Sequence, residues 1–193
     1  MANALLIETG PGLLYYAPIG SADPANTVAG SVFTDAIASP WTPIGYTDNG
    51  HTFSFQLNTA PVEVEELYDP VKIATVSRTI QAQFAMAEIS PLALKVAMNG
   101  GTIVTTGASG TSMSTYTLPT IGQESRVELL WQSDASDHRV IWRQCLNTGQ
   151  IQRAHQKGAS KALLAVTFTA EVPASGAIYN EYVSGTRSTA TAL

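Results

Sequence analysis

Residues 51–58, "HTFSFQLN", alternate strictly between apolar or aromatic and polar side chains. Successive side chains of an extended strand point to opposite faces. His51, Phe53, Phe55 and Leu57 therefore fall on one side, and Thr52, Ser54, Gln56 and Asn58 on the other. The same period recurs on either side of this stretch. "VSRTIQAQFAM" (76–86) sets Val76, Ile80, Ala82, Phe84 and Met86 against Ser77, Thr79, Gln81 and Gln83. "RVELLWQ" (126–132) sets Val127, Leu129 and Trp131 against Arg126, Glu128 and Gln132. The turn-like "SDASD" follows and then "HRVIWRQCL", which predicts a hairpin over 126–145. "KALLAVTFTA" (161–170) directs Ala162, Leu164, Val166 and Phe168 inward. "LLYYAP" (13–18) and "AIYNEYV" (177–183) complete the strands.

Strands with one polar and one apolar face favour antiparallel sheets. The expected fold is mainly β, an antiparallel barrel or sandwich with one short flanking helix. That helix starts at Ser90, an N-cap, with Pro91 at the first helical position, and stops at Gly100-Gly101. About ten residues is too short a helix to stand alone, so it should pack on a sheet. "GASGTSMS" (107–114) reads as a loop between strands. Residues 1–41 are expected to form an N-terminal arm and long loop, because Ile19 to Trp41 is rich in Gly, Ala, Ser and Pro and has little periodicity. The β domain is expected over 42–183, followed by a C-terminal tail over 184–193.

Hydrophobic residues make up 45% of the 193, enough for a substantial core. Charged residues make up 13%, about half the usual share, which suits a surface that meets partners. The net charge of −5 argues against a dedicated nucleic-acid reader. Charge is unevenly placed: residues 1–70 hold eight acids and no base, and the first base is Lys72. Arg139, Arg143, Arg153, Lys157 and Lys161 follow one another with no acid between them. This asymmetry suits self-association, and the basic run is expected at a subunit interface. "TAPVEVEELYDP" (59–70) places Glu63, Glu65, Glu66 and Asp69 within seven positions, with Val62 and Val64 alternating as in a strand.

No arrangement of catalytic or metal-binding residues emerges. Cys145 is the sole cysteine, so neither a disulfide nor a cysteine cluster for zinc is expected. His51, His138 and His155 lack metal-ligand spacing. Asp48, His51 and Ser54 lie close in sequence but without a nucleophile elbow. No phosphate-binding glycine motif is present. Trp41, Trp131 and Trp142 sit in or beside strand patterns and are expected in the core or at an interface. The N-terminus has no basic n-region, so no signal peptide is expected, and no apolar run reaches the roughly 18 residues of a membrane helix. No enzymatic activity and no cofactor are expected.

Four segments together carry a resemblance: "PWTPIGYTDNGHTFSF" (40–55), "PVEVEELYDPVK" (61–72), "FAMAEISPLALKVAMNGG" (84–101) and "VIWRQCLNTGQIQRAHQKGASKALLAVTFTAEVP" (140–173). Their order and spacing resemble the major tail, or tail tube, proteins of long non-contractile-tailed bacteriophages, especially those infecting actinobacteria. The resemblance implies a virion structural protein, made in the host bacterial cytoplasm, that assembles into stacked homo-hexameric rings. The β-lined channel of such a tube conducts the genome. Implied partners are further copies of the chain, tail terminator and tail-tip proteins, the tape measure protein during assembly, and DNA in transit. In that setting Glu63, Glu65, Glu66 and Asp69 are candidate lumen-facing or lumen-rim residues. The competing reading is a β-sandwich decoration module of a virion that binds a host receptor or glycan.

Overall fold

The computed structural model describes residues 11–153 and 161–184. Its strands are β1 (Gly12–Pro18), β2 (Val28–Ala29), β3 (Val32–Phe33), β4 (Thr42–Pro43), β5 (Thr47–Val62), β6 (Lys72–Met86), β7 (Thr102–Thr106), β8 (Met113–Thr117), β9 (Val127–Ser133), β10 (His138–Asn147), β11 (Leu164–Ala170) and β12 (Tyr179–Val183). One helix, α1 (Pro91–Ala97), interrupts them. The main sheet runs β4-β1-β9-β10-β11-β6-β5, with β12 also on β10, and β2-β3 and β7-β8 form small ribbons. All pairings are antiparallel, as the two-faced strands led us to expect.

Strand β10 organises this sheet. One edge pairs with β9, and the other edge takes two partners in succession. His138–Trp142 pairs with β12, and Cys145–Asn147 pairs with β11. Between them the β9–β10 register shifts, and Gln144 adopts φ 49°. Such a bulge bends its strand and lets it turn a corner between two layers. The layer β4-β1-β9-β10-β12 therefore lies over the layer β10-β11-β6-β5. The core forms between them from Leu14, Leu129, Trp131, Val140 and Trp142 on one side and Ile80, Ala82, Phe84, Met86, Leu164, Val166 and Phe168 on the other. Phe84 and Phe168 stack at 5.8 Å between ring centroids. A side chain at Gly12 would collide with the Trp131 indole, at 2.1 Å from Nε1, so glycine lets β1 pass close over that ring.

Helix α1 closes one end of the core. Ser90 Oγ accepts from the Ala93 N–H at 3.1 Å, which satisfies one orphan donor of the first turn. Ala93, Val96 and Ala97 are buried. The far end is clamped to β10 by reciprocal amides. Asn99 Nδ2 donates to the Asn147 carbonyl and Asn99 Oδ1 accepts from the Asn147 N–H, both at 2.8 Å. Asn147 Nδ2 donates to the Ala97 carbonyl at 2.7 Å. These bonds tie down a helix too short to persist alone.

The described part of residues 1–41 is not an arm. Strand β1 pairs with both β9 and β4 inside the sheet. The segment after it, residues 19–41, crosses the second face of β9 and β10 as a strap. Trp41 packs with Ala17, Leu130 and Ile141 in a second apolar cluster, and its Nε1 donates to the Ala22 carbonyl at 3.0 Å. Arg139, which is 1% exposed, holds the strap from beneath. Its guanidinium donates to the carbonyl of Ala25 at 2.8 Å, to Asn26 Oδ1 at 3.1 Å and to the carbonyl of Asp35 at 2.5 Å. Its Nε donates to Gln132 Oε1 at 2.8 Å, and the Phe33 ring covers it at 4.6 Å. A segment without periodicity is thus fixed through its carbonyls, which any sequence supplies.

Replacing Arg139 with Ala leaves those carbonyls without a donor under a covered surface. A charged hydrogen bond contributes about 1.5–3 kcal/mol net, so the isolated chain should lose on the order of 3 kcal/mol in urea unfolding. Limited proteolysis should then cut within residues 19–41 first. A loss below about 0.5 kcal/mol, the range of ordinary surface substitutions, would show that Arg139 does not hold the strap.

Candidate interaction surface

Strands β5 and β6 are 16 and 15 residues long, and only the inner half of β6, through Ile80, Ala82, Phe84 and Met86, lies in the core. The β6–β11 pairing spans Gln81 to Met86. From Ile80 to Lys72, β6 pairs with β5 alone among the described residues. This half forms a projecting two-stranded ribbon of eight or nine residues per strand, about 25 Å at 3.3 Å per residue. Residues 49–62 contain no Asp, Glu, Lys or Arg, and alternation is kept from His51 to Asn58. Two irregularities curve the ribbon. Residues 49–50 are extra on β5, with Gly50 at φ 71°, and Val76 is extra on β6.

The apolar face of HTFSFQLN is partly covered only at its start, where His51 is half-buried and Phe53 is 42% exposed. His51 packs on Trp131 at 4.6 Å between ring centroids, and Phe53 stacks on Tyr179 at 5.1 Å. Phe55 and Leu57 share that face but stand 52% and 49% exposed. Val76 and Ile73 on β6 are exposed to 69% and 66%. Phe55, Arg78, Ile80, Pro173, Ile178 and Tyr179 border an open groove of about 700 Å³ on this side. The outer edge of β5 has no strand partner among the described residues. An isolated two-stranded ribbon is marginal in water, and a long, apolar, unpaired edge is a template for another chain.

The four carboxylates lie at the ribbon tip. Strand β5 ends at Val62, the Val71 N–H donates to the Val62 carbonyl at 3.0 Å, and the Leu67 N–H to the Val64 carbonyl at 3.3 Å. Glu63, Glu65, Glu66 and Asp69 are all exposed, as are Val62, Val64, Leu67 and Tyr68. The alternation V-E-V-E therefore does not continue a half-buried strand. No second layer reaches this far, so nothing is present to bury the valines, and the crowded carboxylates stay in water.

The basic run does not form one patch. Arg139 and Arg143 face the strap, not the outside, because the odd-numbered residues of β10 that precede the bulge point away from the main core. Arg143 donates to both carboxylate oxygens of Asp23 at 2.6 and 2.8 Å, and lies 3.7 Å from Glu128. Tyr182 Oη donates to the same Asp23 at 2.6 Å. The expectation that Arg139 and Arg143 meet a neighbouring subunit is thereby corrected: both are consumed within the chain. Arg153 is exposed, and the exposed Lys161 pairs with Asp48 at 2.9 Å. Lys157 lies outside the described residues. The sequence reading also missed Glu128, taken as a solvent-side residue of β9 but 3% exposed beneath the strap. It missed the outward Phe55 and Leu57 because period alone does not reveal where the facing layer ends. The length of the uncharged run was the available signal.

Long antiparallel strands, an edge unpaired among the described residues and an exposed apolar ribbon are the features of a β-rich structural subunit. The chain belongs to the phage tail tube protein family, whose model matches residues 1–184. No curated protein matches it. It is thus a structural component of the phage tail, within the virion.

Burial pushes the Glu128 carboxyl above its ordinary range, against the opposing pull of the Gly20 N–H and Arg143. The folded chain therefore binds a proton there more readily than the unfolded chain. The stability this contributes is complete below about pH 4.5, the ordinary value, and is lost as pH rises through the raised one. Glu128→Gln keeps an acceptor for Gly20 and removes the titration. Its melting temperature should fall less than the parent's from about pH 4.5 to neutrality. Identical slopes in the two proteins would refute the assignment.

Proposed function

We propose that the chain assembles into stacked rings, six subunits to a ring as the resemblance implies, and that the resulting tube conducts phage DNA into the host. The observation that carries this reading is the half-exposed apolar ribbon of Phe55, Leu57, Ile73 and Val76 beside the free β5 edge. A contact between this surface and a different surface of the next copy is heterologous, and heterologous contacts generate rings or filaments rather than closed pairs. Weak contacts repeated around a ring add through multivalency. A tail terminator and tail-tip proteins would cap the two ends, and the tape measure protein would occupy the channel during assembly. Among the described residues Arg153 and Lys161 remain candidates for contact between subunits, and Lys157 stays a candidate outside them.

Negative-stain microscopy of the purified chain tests the proposal directly, since rings or tubes are expected and uniform single particles would refute it. Phe55→Ser combined with Leu57→Ser should abolish the assemblies while leaving the circular dichroism of the monomer unchanged. Assemblies of normal appearance from that variant would remove the ribbon face from the interface.

Glu63, Glu65, Glu66 and Asp69 are proposed as an acidic band at the rim of the channel, repelling phosphates at short range. Screening limits that repulsion to about 8 Å at physiological salt. Changing Glu63, Glu65 and Glu66 to Gln should preserve rings and slow DNA ejection, most at low ionic strength. Unchanged ejection in low salt would exclude an electrostatic rim, and failure to assemble would place the tip in a joint between subunits.

A further inference from the structure

The face of the ribbon opposite its apolar side carries no charge over its whole length. Residues 49–62 and 162–170 contain no Asp, Glu, Lys or Arg, and residues 73–87 contain only Arg78. Arg78 pairs with Leu57 and borders the groove on the apolar side. The polar side is a lattice set by register. Thr52, Gln83 and Thr167 form one row across β5, β6 and β11, and Ser54, Gln81 and Thr169 form the next. Gln56 pairs with Thr79, and Asn58 with Ser77, beyond them. Partners bind one another within this lattice. Asn58 Nδ2 donates to Ser77 Oγ at 2.9 Å, Gln81 Nε2 to Thr169 Oγ1 at 3.2 Å, and the Thr148 and Thr169 hydroxyls lie 2.7 Å apart. Among the described residues charge returns at the margins, including the Arg126–Glu171 pair at 3.0 Å just past the end of β11. Asp48 and Lys161 pair at one end, and the acidic tip with Lys72 stands at the other.

The other broad sheet face, on β9 and β10, holds Glu128, Arg139 and Arg143 and is covered by the strap. The hydroxyl and amide face of β5, β6 and β11 has no such cover among the described residues. We infer that this charge-free face forms the wall of the channel, over which duplex DNA slides, with fixed charge confined to the rims. The inference rests on the tube reading and adds which surface faces the polyanion. A cationic wall would bind phosphates and release their counterions, so its hold would grow with every contact. Phase-independent sliding needs contacts that exchange with water at little cost. Neutral hydrogen bonds contribute only about 0.5–1.5 kcal/mol net, and groups already bonded to one another have fewer donors to offer.

Single cysteines at Gln56 and Gln83, both exposed, test the assignment, because Cys145 is buried and its thiol is pushed far up by burial. Gln56→Cys and Gln83→Cys are labelled in the full chain, as monomer and as assembled tubes. One reagent is N-ethylmaleimide and the other a polyethylene-glycol maleimide too bulky to enter a tube. In monomer both reagents should react. In tubes the small reagent should still react, and labelling by the bulky one should be lost except at the ends. Reaction of both reagents with tubes would place the face outside. Reaction of neither, or failure of both variants to assemble where the parent does, would place it between subunits. Each of these outcomes overturns the wall while leaving the tube intact. A parent chain that forms no rings or tubes overturns the tube reading, and the wall with it.

Discussion

The bulge between Trp142 and Cys145 sets the architecture. Because β10 gives half of one edge to β12 and the other half to β11, a single sheet becomes two layers that face each other. The apolar faces of β9 and β10 then meet those of β6 and β11, and two tryptophans, Trp131 and Trp142, and two stacked phenylalanines find cover. A regular β10 would carry one partner along that edge and leave a flat sheet with one apolar side in water. Packing of the layers supplies the hydrophobic stabilisation, while the bulge decides which faces receive it.

The second face of β9 and β10 needed a different solution. It holds Leu130 and Ile141 but also Glu128, Arg139 and Arg143, and it is covered by a strap with almost no apolar periodicity. The guanidinium groups reconcile these facts. Arg139 reads strap carbonyls and Arg143 reads Asp23, so the strap is held by charge-assisted hydrogen bonds around a small apolar cluster centred on Trp41. A buried arginine is tolerable where most of its donors are satisfied, and Arg139 meets that condition. The cost is that both arginines are lost to the outer surface, which narrows the basic run available to neighbours to Arg153 and Lys161 among the described residues.

The ribbon is the part of the fold that the single chain leaves incomplete. Its inner half reaches the core through Ile80, Ala82 and Phe84 of β6, with His51 and Phe53 packed at the margin on Trp131 and Tyr179, and its outer half exposes Phe55 and Leu57 on a continuation of the same face. Membership of the phage tail tube family fits such a surface, since in the proposed assembly another copy would cover it. The two sides of the ribbon divide the work: the apolar side can be buried by protein, and the uncharged polar side can stay wet.

Alternation by itself determined β1, β6, β9 to β12 and part of β5, their antiparallel class and most inward residues of β6 and β11, but not the short strands β2, β3, β4, β7 and β8. The Ser90-Pro91 and Gly100-Gly101 pairs determined the helix. These are local properties, fixed by which side a residue points to and by backbone groups a few positions away. Only the tertiary structure decided which faces are covered. Phe55 and Leu57 continue the pattern of His51 and Phe53 unchanged, yet they lie past the end of the facing layer. Glu128 was read on the polar face of its strand and Arg139 at a subunit interface, yet both lie under a strap whose contacts to Arg143 span 120 residues of sequence. Val62 and Val64 alternate like strand residues but sit at a tip that nothing covers. Burial is a relation between segments distant in the chain, and periodicity records only the orientation of one segment.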